Sequence, residues 1–180
     1  MADQRSQDGA AQAASRERRA GCPQRTSGDG ARATPNRRHT RSTVTSAPPD
    51  HVTGLANRGT LEAFLDARDV STPLAVVLCD VVGLKATNDR DGFTAGDAVL
   101  RRAADRLRGA AAGATLLGRL GGDECMAVFT GPDAATAANR ARTILAAPGD
   151  PPLRAAAGEC LPQESIAAFV DRLYAILRRC

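Results

Sequence analysis

Two acidic positions in this 180-residue chain have the residue types and the surroundings that metal-assisted chemistry requires. Asp80 directly follows the apolar run 74–79, and Asp123 and Glu124 directly follow a pair of glycines. Because glycine adopts the positive φ of tight turns, the pair predicts a hairpin that holds both carboxylates at a rigid, half-exposed position. If the strand before Asp80 is a neighbour of this hairpin, the carboxylates could share a divalent cation. The same residues also fit a solvated hairpin tip and an ordinary loop start.

The only lysine of the chain, Lys85, lies in the polar segment that follows Asp80. All the other basic residues, 23 of the 24, are arginine. Lysine is a compact point charge that suits a phosphate oxygen at close range. The isolated lysine therefore favours a phosphate-binding role over a chance surface position.

The composition indicates the kind of core and the distribution of charge. Hydrophobic residues make up 43% of the chain, but with no Trp, one Tyr and four Phe the core must consist of small and aliphatic side chains. Residues 1–49 carry nine Arg against four acidic residues, a net +5, whereas residues 50–180 carry 15 basic and 16 acidic residues, a net −1. The folded part is therefore not basic, and we do not expect nucleic acid as a partner.

Residues 1–49 are rich in Arg, Ala, Ser and Pro and hold almost no large apolar side chain. Such a segment cannot bury enough surface to offset its ordering entropy, so we expect a disordered tail and place one domain at 50–180. The apolar runs are too short for a membrane helix, and no apolar stretch follows the N-terminal arginines as in a secretory signal. The five cysteines form no C-x-x-C pair, which excludes a zinc-knuckle spacing. We expect a cytoplasmic protein.

Hydrophobic periodicity and turn residues predict the elements that must position these side chains. They predict helices over 60–69, 97–108, 132–147 and 164–179, a buried strand over 74–79, a hairpin over 114–130 and a short strand over 153–157. Asn57 is a plausible cap for the first helix, and the connection 81–91 is polar and irregular. This order predicts an α+β fold in which helices pack on a central mixed sheet.

Three short blocks carry a family resemblance. They are Thr53-Gly54-Leu55-x-Asn57-Arg58, then Asp80-x-x-x-x-Lys85-x-x-Asn88-Asp89 with Gly96-Asp97-x-x-Leu100, and then Arg119-x-Gly121-Gly122-Asp123-Glu124. In this order they resemble the GGDEF family, the diguanylate cyclase domains of bacteria, over about residues 50–177. The resemblance implies a ferredoxin-like, palm-like nucleotide-cyclase architecture. It also implies an activity that condenses two GTP molecules into cyclic di-GMP with release of pyrophosphate.

The resemblance assigns metal-binding and catalytic roles to the acidic positions. It implies that Asp80, the backbone carbonyl of Val81 and Asp123 bind Mg²⁺ or Mn²⁺. Mg²⁺ usually takes one or two carboxylates together with phosphate oxygens and water, which agrees with this set. Asp123 and Glu124 are then the catalytic residues, and Glu124 assists metal positioning or deprotonation of the attacking hydroxyl.

The resemblance also assigns the substrate-binding positions. Asn88 and Asp97 match the residues that bind the guanine edge, which offers two neighbouring donors that adenine lacks. A site built to hydrogen-bond one base can reject another by several orders of magnitude, so these residues favour GTP over ATP. The remaining positions implied for phosphate and substrate contact are Gly83, Leu84, Lys85, Gly121 and Gly122.

Several positions depart from the family's pattern and leave two interpretations open. Cys125 replaces the usual Phe of the signature, Val82 replaces a second acid, and Leu84 replaces an aromatic residue. The lysine expected on the C-terminal helix falls on Leu177, with Arg178 one residue out of phase as a possible substitute. The chain is then either a minimal diguanylate cyclase or a GGDEF-like module that binds GTP and signals without making product.

The reaction that the resemblance implies also sets an expectation for oligomeric state. It joins two GTP molecules symmetrically, whereas one subunit has one set of site residues. Two sites must therefore face each other in a two-fold dimer. No sensory or dimerising domain is recognisable before residue 50, so we expect a transient homodimer.

Overall fold

The structure is a computed structural model that describes residues 47–180. The predicted disordered tail, residues 1–49, therefore lies almost wholly outside the described residues. The elements within the described range, in chain order, are α1 (Arg58–Asp66), β1 (Leu74–Val81), α2 (Leu84–Asp91), α3 (Phe93–Ala110), β2 (Leu116–Gly121), β3 (Glu124–Thr130), α4 (Ala134–Ala146), β4 (Leu153–Glu159) and α5 (Ile166–Leu177).

The four strands form one sheet in the order β2-β3-β1-β4, and the α+β class expected from the sequence is confirmed. The sheet is not mixed as predicted, because each of its three strand pairings is antiparallel. Among residues 47–180 the only parallel pairing is an isolated bridge between Ala56 and Gly118. The physical reason is that β1 and β2 run in the same direction but β3 lies between them, and β1 likewise separates β3 from β4. This split βαβ arrangement is the ferredoxin-like topology.

Strand β1 is buried along its whole length and separates two apolar layers. Ala75, Val77 and Cys79 point to the layer covered by α3 and α4. Val76 and Leu78 point to the layer covered by α1 and α5. Since side chains alternate along a strand, a strand with helices on both faces must be apolar at every position, which explains the continuous run. The strand therefore fixes Asp80, near its end, at the edge of the core.

The connection predicted to be irregular contains a helix, α2. Its residues are polar on nearly every side and only Leu84 is buried, so the hydrophobic period that would predict a helix is missing. Gly92, at φ 84°, is both the C-cap of α2 and the N-cap of α3. This one-residue junction makes α3 begin at Phe93 rather than at the predicted position 97. The other helices lie close to their predicted ranges, and Asn57 caps α1 by accepting a hydrogen bond from the Thr60 N–H at 2.8 Å.

A search of the helices formed by residues 47–180 found none of the length and apolar character that crossing a membrane demands.

Candidate functional site

The glycine pair forms the turn between β2 and β3, as its spacing predicts. Gly121 and Gly122 have φ angles of 144° and 53°, which side-chain-bearing residues rarely adopt. Arg119 donates from Nε and Nη2 to the Gly122 carbonyl at 3.2 and 2.7 Å and ties the turn to its own strand. Asp123 and Glu124 are consequently half-buried at a fixed position.

Asp50 supports the same turn from the start of the domain. Its carboxylate receives Arg119 Nη1 at 3.2 Å and the Thr53 backbone N–H and hydroxyl at 2.9 and 2.7 Å. Burial acts to raise the pKa of Asp50, but the hydrogen bonds from Thr53 and the Arg119 guanidinium outweigh it and lower the pKa. Sequence reasoning did not single out Asp50. Arg119 lies within one of the motif blocks, and its positive charge was the only feature of the sequence to indicate that it needs an acidic partner.

The carboxylates of Asp80 and Asp123 lie next to each other at the end of β1. Asp80 is the register partner of Glu124 on β3, and the Val81 N–H donates to the Asp123 carbonyl at 3.1 Å. Burial raises the pKa of Asp80, the guanidinium of Arg154 lowers it, and the neighbouring Asp123 carboxyl raises it again. The pKa is raised on balance, and burial is the largest cause.

This donor set fits a divalent cation that takes only part of its ligands from the protein. Within the described range, no three His, Cys, Asp or Glu side chains converge as a metal cluster. Two adjacent carboxylates are nevertheless what Mg²⁺ commonly uses when the substrate's phosphates complete its coordination. Two carboxylates face one guanidinium, that of Arg154, so their formal charge favours an added cation. The residues present therefore fit Mg²⁺ or Mn²⁺ held jointly with a phosphorylated substrate.

Glu124 points toward α5, where Tyr174 holds it. The Tyr174 hydroxyl donates to Glu124 Oε2 at 2.8 Å. Burial and this bond to a carboxylate together raise the pKa of Tyr174 to about 12, so the phenol remains a donor at neutral pH. Tyr174 and Glu124 are 50 residues apart in the sequence and lie in different elements, so their spacing could not reveal the contact.

Asn88 on α2 and Asp97 on α3 are brought together by the helical junction at Gly92. Both are half-buried, and across residues 47–180 neither side chain forms a hydrogen bond to the protein. Gly96 lies directly beneath Asn88, because a Cβ at this glycine would lie 1.8 Å from Asn88 Oδ1. The close approach therefore joins Asn88 to the turn of α3 that carries Asp97, and polar side chains without a protein partner can receive the donor edge of a base.

Lys85 and the start of α2 lie immediately after the carboxylates. Gly83, the N-cap of α2 at φ 80°, contributes no capping side chain, so the first N–H groups of this described helix face outward. Helix N-termini of this kind bind phosphate oxygens. Lys85 is exposed, whereas Leu84 is buried, so Leu84 can reach a substrate only through its backbone N–H.

The arginine that reaches the carboxylates is Arg154 on β4, not Arg178. Arg154 donates to Asp80, whereas Arg178 is an exposed C-cap of α5 that forms no ion pair with any described residue. A cavity of about 600 Å³ lies at the other end of β1, beside Leu74 and Cys160. That cavity contains none of the motif residues, so we assign the chemistry to the β1–β3 end.

Comparison with known proteins agrees with the site geometry. A family model described as "Diguanylate cyclase, GGDEF domain" matches residues 47–158. The diguanylate cyclase TpbB of Pseudomonas aeruginosa is 42% identical over 80 residues, which are 42% of this chain and 18% of that protein. A Streptomyces griseus protein described as uncharacterized and encoded in the hutH 5′ region is 41% identical over 92 residues, 47% of this chain and 38% of that protein. The matches thus span less than half of these relatives.

Solved structures of similar domains have the same fold. The GGDEF domain of DgcB from Caulobacter crescentus, solved in complex with c-di-GMP, superimposes with a TM-score of 0.64 at 25% identity and covers 74% of this chain and 89% of that chain. A sensory box/GGDEF family protein from Caulobacter crescentus CB15 superimposes with a TM-score of 0.58 at 32% identity, covering 74% and 97%. The family model spans more than half of the chain, and its signature forms the turn at Gly121 to Glu124. The chain therefore belongs to the GGDEF family of diguanylate cyclase domains.

Proposed function

We propose that this domain condenses two molecules of GTP into cyclic di-GMP and releases two pyrophosphates. The observation that carries the proposal is that three kinds of polar group follow one another from the end of β1 to the start of α3, with Asp123 added to the first of them by the β2–β3 turn. The carboxylates lie at the end of β1, and Lys85 lies at the start of α2. Asn88 and Asp97, here called the partner-free pair, lie on the two sides of the α2–α3 junction. These groups match the metal, the phosphates and the base of one nucleotide.

In this proposal Asn88 and Asp97 select guanine. The guanine edge presents N1–H and N2–H₂ donors, which the Asp97 carboxylate can accept together, and adenine has no such pair. Gly96, the residue before Asp97, lets α3 approach the Asn88 side chain closely. A buried acceptor left without its donors is costly, so GTP should be strongly preferred over ATP.

The phosphates would lie between α2 and the hairpin. Lys85 and the N–H groups of Gly83 and Leu84 would bind the terminal phosphates. Gly121 and Gly122 have nothing within 4 Å of where a Cβ would lie, so the turn leaves open space for a substrate to approach its backbone. Positioned phosphates are the main requirement of phosphoryl transfer.

The remaining residues would act at the reacting phosphorus. Asp80, the Val81 carbonyl and Asp123 would hold Mg²⁺ or Mn²⁺, which neutralises charge on phosphate oxygens when bound. The 3′-hydroxyl of one GTP attacks the α-phosphate of the other, the bond from that phosphorus to pyrophosphate breaks, and Glu124 accepts the hydroxyl proton or orients the metal ligands. The second bond forms in the same way between two facing domains, a transient homodimer. Because GTP is an intracellular nucleotide, we place the reaction in the cytoplasm.

A second candidate is a GTP-binding signalling module without turnover. It is favoured by the engagement of two acidic residues, since Asp80 is bound by Arg154 and Glu124 by Tyr174. Val82, exposed at 46%, also occupies the position where the family usually has a further acid. In this case the partner-free pair would still bind guanine.

Incubation of the purified chain with GTP and Mg²⁺ or Mn²⁺, followed by chromatography, distinguishes the two. We expect cyclic di-GMP and pyrophosphate from GTP and no cyclic product from ATP. Asp123→Asn should make no product while keeping its circular dichroism spectrum and melting temperature, because the side chain is only half-buried. GTP binding without product would support the signalling module. Turnover by Asp123→Asn at the parent rate would refute the metal assignment.

A further inference from the structure

Arg154 contacts the Asp80 carboxylate from the neighbouring strand β4. It is the register partner of Asp80 across β1 and β4, and its Nη2 donates to Asp80 Oδ2. The Asp80 side chain is only 9% exposed, whereas the Arg154 side chain is 46% exposed. The guanidinium therefore contacts the buried carboxylate and is its positively charged partner in the ion pair.

A divalent cation that bound Oδ2 of Asp80 would compete with Arg154 for that oxygen. The guanidinium already uses Oδ2, and two cations on one carboxylate repel each other strongly when burial limits screening by water and salt. Arg154 is free to leave, because half of its side chain is in solvent and, among the described residues, Asp80 is its only ion-pair partner. Its strand, β4, is also the edge strand of the sheet.

We propose that Arg154 is a built-in counter-cation that holds Asp80 in the metal-free domain and weakens its affinity for divalent metal. Metal binding then requires the arginine to be displaced. This inference rests on the metal assignment of the proposed function, and it concerns a residue outside the three motif blocks. It gives this chain a lower metal affinity than its carboxylates alone would provide.

The test measures Mn²⁺ binding to the nucleotide-free chain by electron paramagnetic resonance of the free ion, without any activity assay. Arg154→Gln should bind Mn²⁺ about tenfold or more tightly than the parent, since a unit charge is removed next to the metal position. Arg154→Lys, which keeps the charge on a shorter and more flexible stem, should lie between the two. Arg172→Gln is the matched control. It removes one charge from an ion pair with Glu164, and its bond to the Glu159 carbonyl places it at the opposite end of β4.

Thermal denaturation with and without Mn²⁺ gives a second readout. Without metal, Arg154→Gln should have a lower melting temperature than the parent, because Asp80 loses its counter-charge. Added Mn²⁺ should raise the melting temperature of Arg154→Gln by more than it raises that of the parent. If Arg154→Gln does not fold, Arg154→Lys still decides the matter through its Mn²⁺ affinity. If folded Arg154→Gln and Arg154→Lys bind Mn²⁺ no more tightly than the parent, the inference is overturned.

Asp123→Asn separates the failure of this inference from the failure of the proposed function. Mn²⁺ binding that is lost in Asp123→Asn but unchanged in the Arg154 variants refutes the inference alone. Mn²⁺ binding that does not depend on Asp123 in either background refutes the metal assignment and the inference together.

Discussion

At the scale of single residues, the proposed proton acceptor Glu124 is held in its orientation by a neighbour on α5. The Tyr174 hydroxyl reaches it from α5 at 2.8 Å, and Tyr174 is the only tyrosine of the chain. A proton acceptor works only when it stays within hydrogen-bond reach of the proton it removes. The tyrosine therefore has a positioning role in the proposed reaction.

Tyr174→Phe should lower kcat while leaving KM for GTP nearly unchanged. The phenyl ring keeps the packing of α5 but removes the donor, and the loss of a hydrogen bond to a carboxylate should cost about 1–2 kcal/mol. Ile176→Val, which removes one methyl from the same helix without touching Glu124, is the control. Steady-state rates with GTP give both parameters. A variant with parental kcat would show that Glu124 needs no such support.

Sequence predicted the residues of the site better than their contacts. The glycine turn, the carboxylates and the isolated lysine were identifiable because each depends on neighbours in the chain. Arg154 and Tyr174 were not, because their contacts depend on strand register and on where α5 lies, and those are set by the whole core. The substitution of Arg178 for the lysine expected on the C-terminal helix stays a prediction, because the contact between Arg154 and Asp80 concerns a different role.

At the scale of elements, the α2–α3 junction decides whether Asn88 and Asp97 meet. Gly96 is buried in α3, and a Cβ there would lie 1.8 Å from Asn88 Oδ1. The obstructing atom is the end of a side chain, so an added methyl would turn the Asn88 amide aside rather than separate the helices. The absence of a side chain at Gly96 is thus a binding requirement more than a folding requirement.

Gly96→Ala should weaken GTP binding about tenfold without lowering stability. Alanine favours the helix by about 0.5–1 kcal/mol, while one displaced base contact is worth about 1 kcal/mol or more. Gly109→Ala is the matched control, because it lies in the same helix and a Cβ there meets nothing within 4 Å. Calorimetric titration with GTP and thermal melts test both variants. Parental affinity in Gly96→Ala would mean that Asn88 does not contact the nucleotide.

The start of α5 is held by an ion pair that should respond to acid. Glu164 accepts from Arg172 and from the Leu161 N–H, both within 2.9 Å. These bonds lower the pKa of Glu164 to about 2, with the Arg172 bond as the larger cause. Since the folded pKa is depressed, the stabilisation is present above the ordinary value of 4.5 and is lost as the pH falls toward about 2.

Glu164→Gln should therefore be less stable than the parent near neutral pH, and the difference should shrink as the solution is acidified. Urea denaturation at about pH 6 and about pH 3 measures it. Glu62→Gln, which breaks an exposed pair with Arg58 on α1, should have little effect at either pH. A difference that is the same at both pH values would show that the Glu164 bonds do not stabilise the fold.

At the scale of the whole molecule, the split βαβ topology places the proposed chemistry at one end of the sheet. The end of β1, the β2–β3 turn and the start of α2 meet there, and Val81 bonds directly to Asp123. The sequence predicted β1 and the β2–β3 hairpin and most of their ranges. It did not predict α2, because that helix lacks an apolar face. It also did not predict that all strand pairs are antiparallel, because this depends on the order of the strands in the sheet.

One domain carries one carboxylate pair and one pair of residues proposed to bind guanine, yet the proposed product contains two guanosines joined by two bonds. Each site must therefore receive the nucleophile from a nucleotide held by another domain, and the number of productive pairs should grow with protein concentration. We predict that initial rate per molecule falls steeply over about a hundredfold dilution, while excess GTP keeps each site occupied.

Adding an excess of Asp123→Asn to dilute parent protein provides the decisive comparison. Mixed pairs contain one intact and one defective site, so they form at most one of the two bonds, and the variant should suppress cyclic product by capturing parent molecules. The same excess of Arg172→Gln, which leaves the site intact, should instead raise the yield by supplying active partners. Activity per molecule that stays constant on dilution, together with a monomeric elution profile and no effect of either variant, would contradict a reaction between two facing domains.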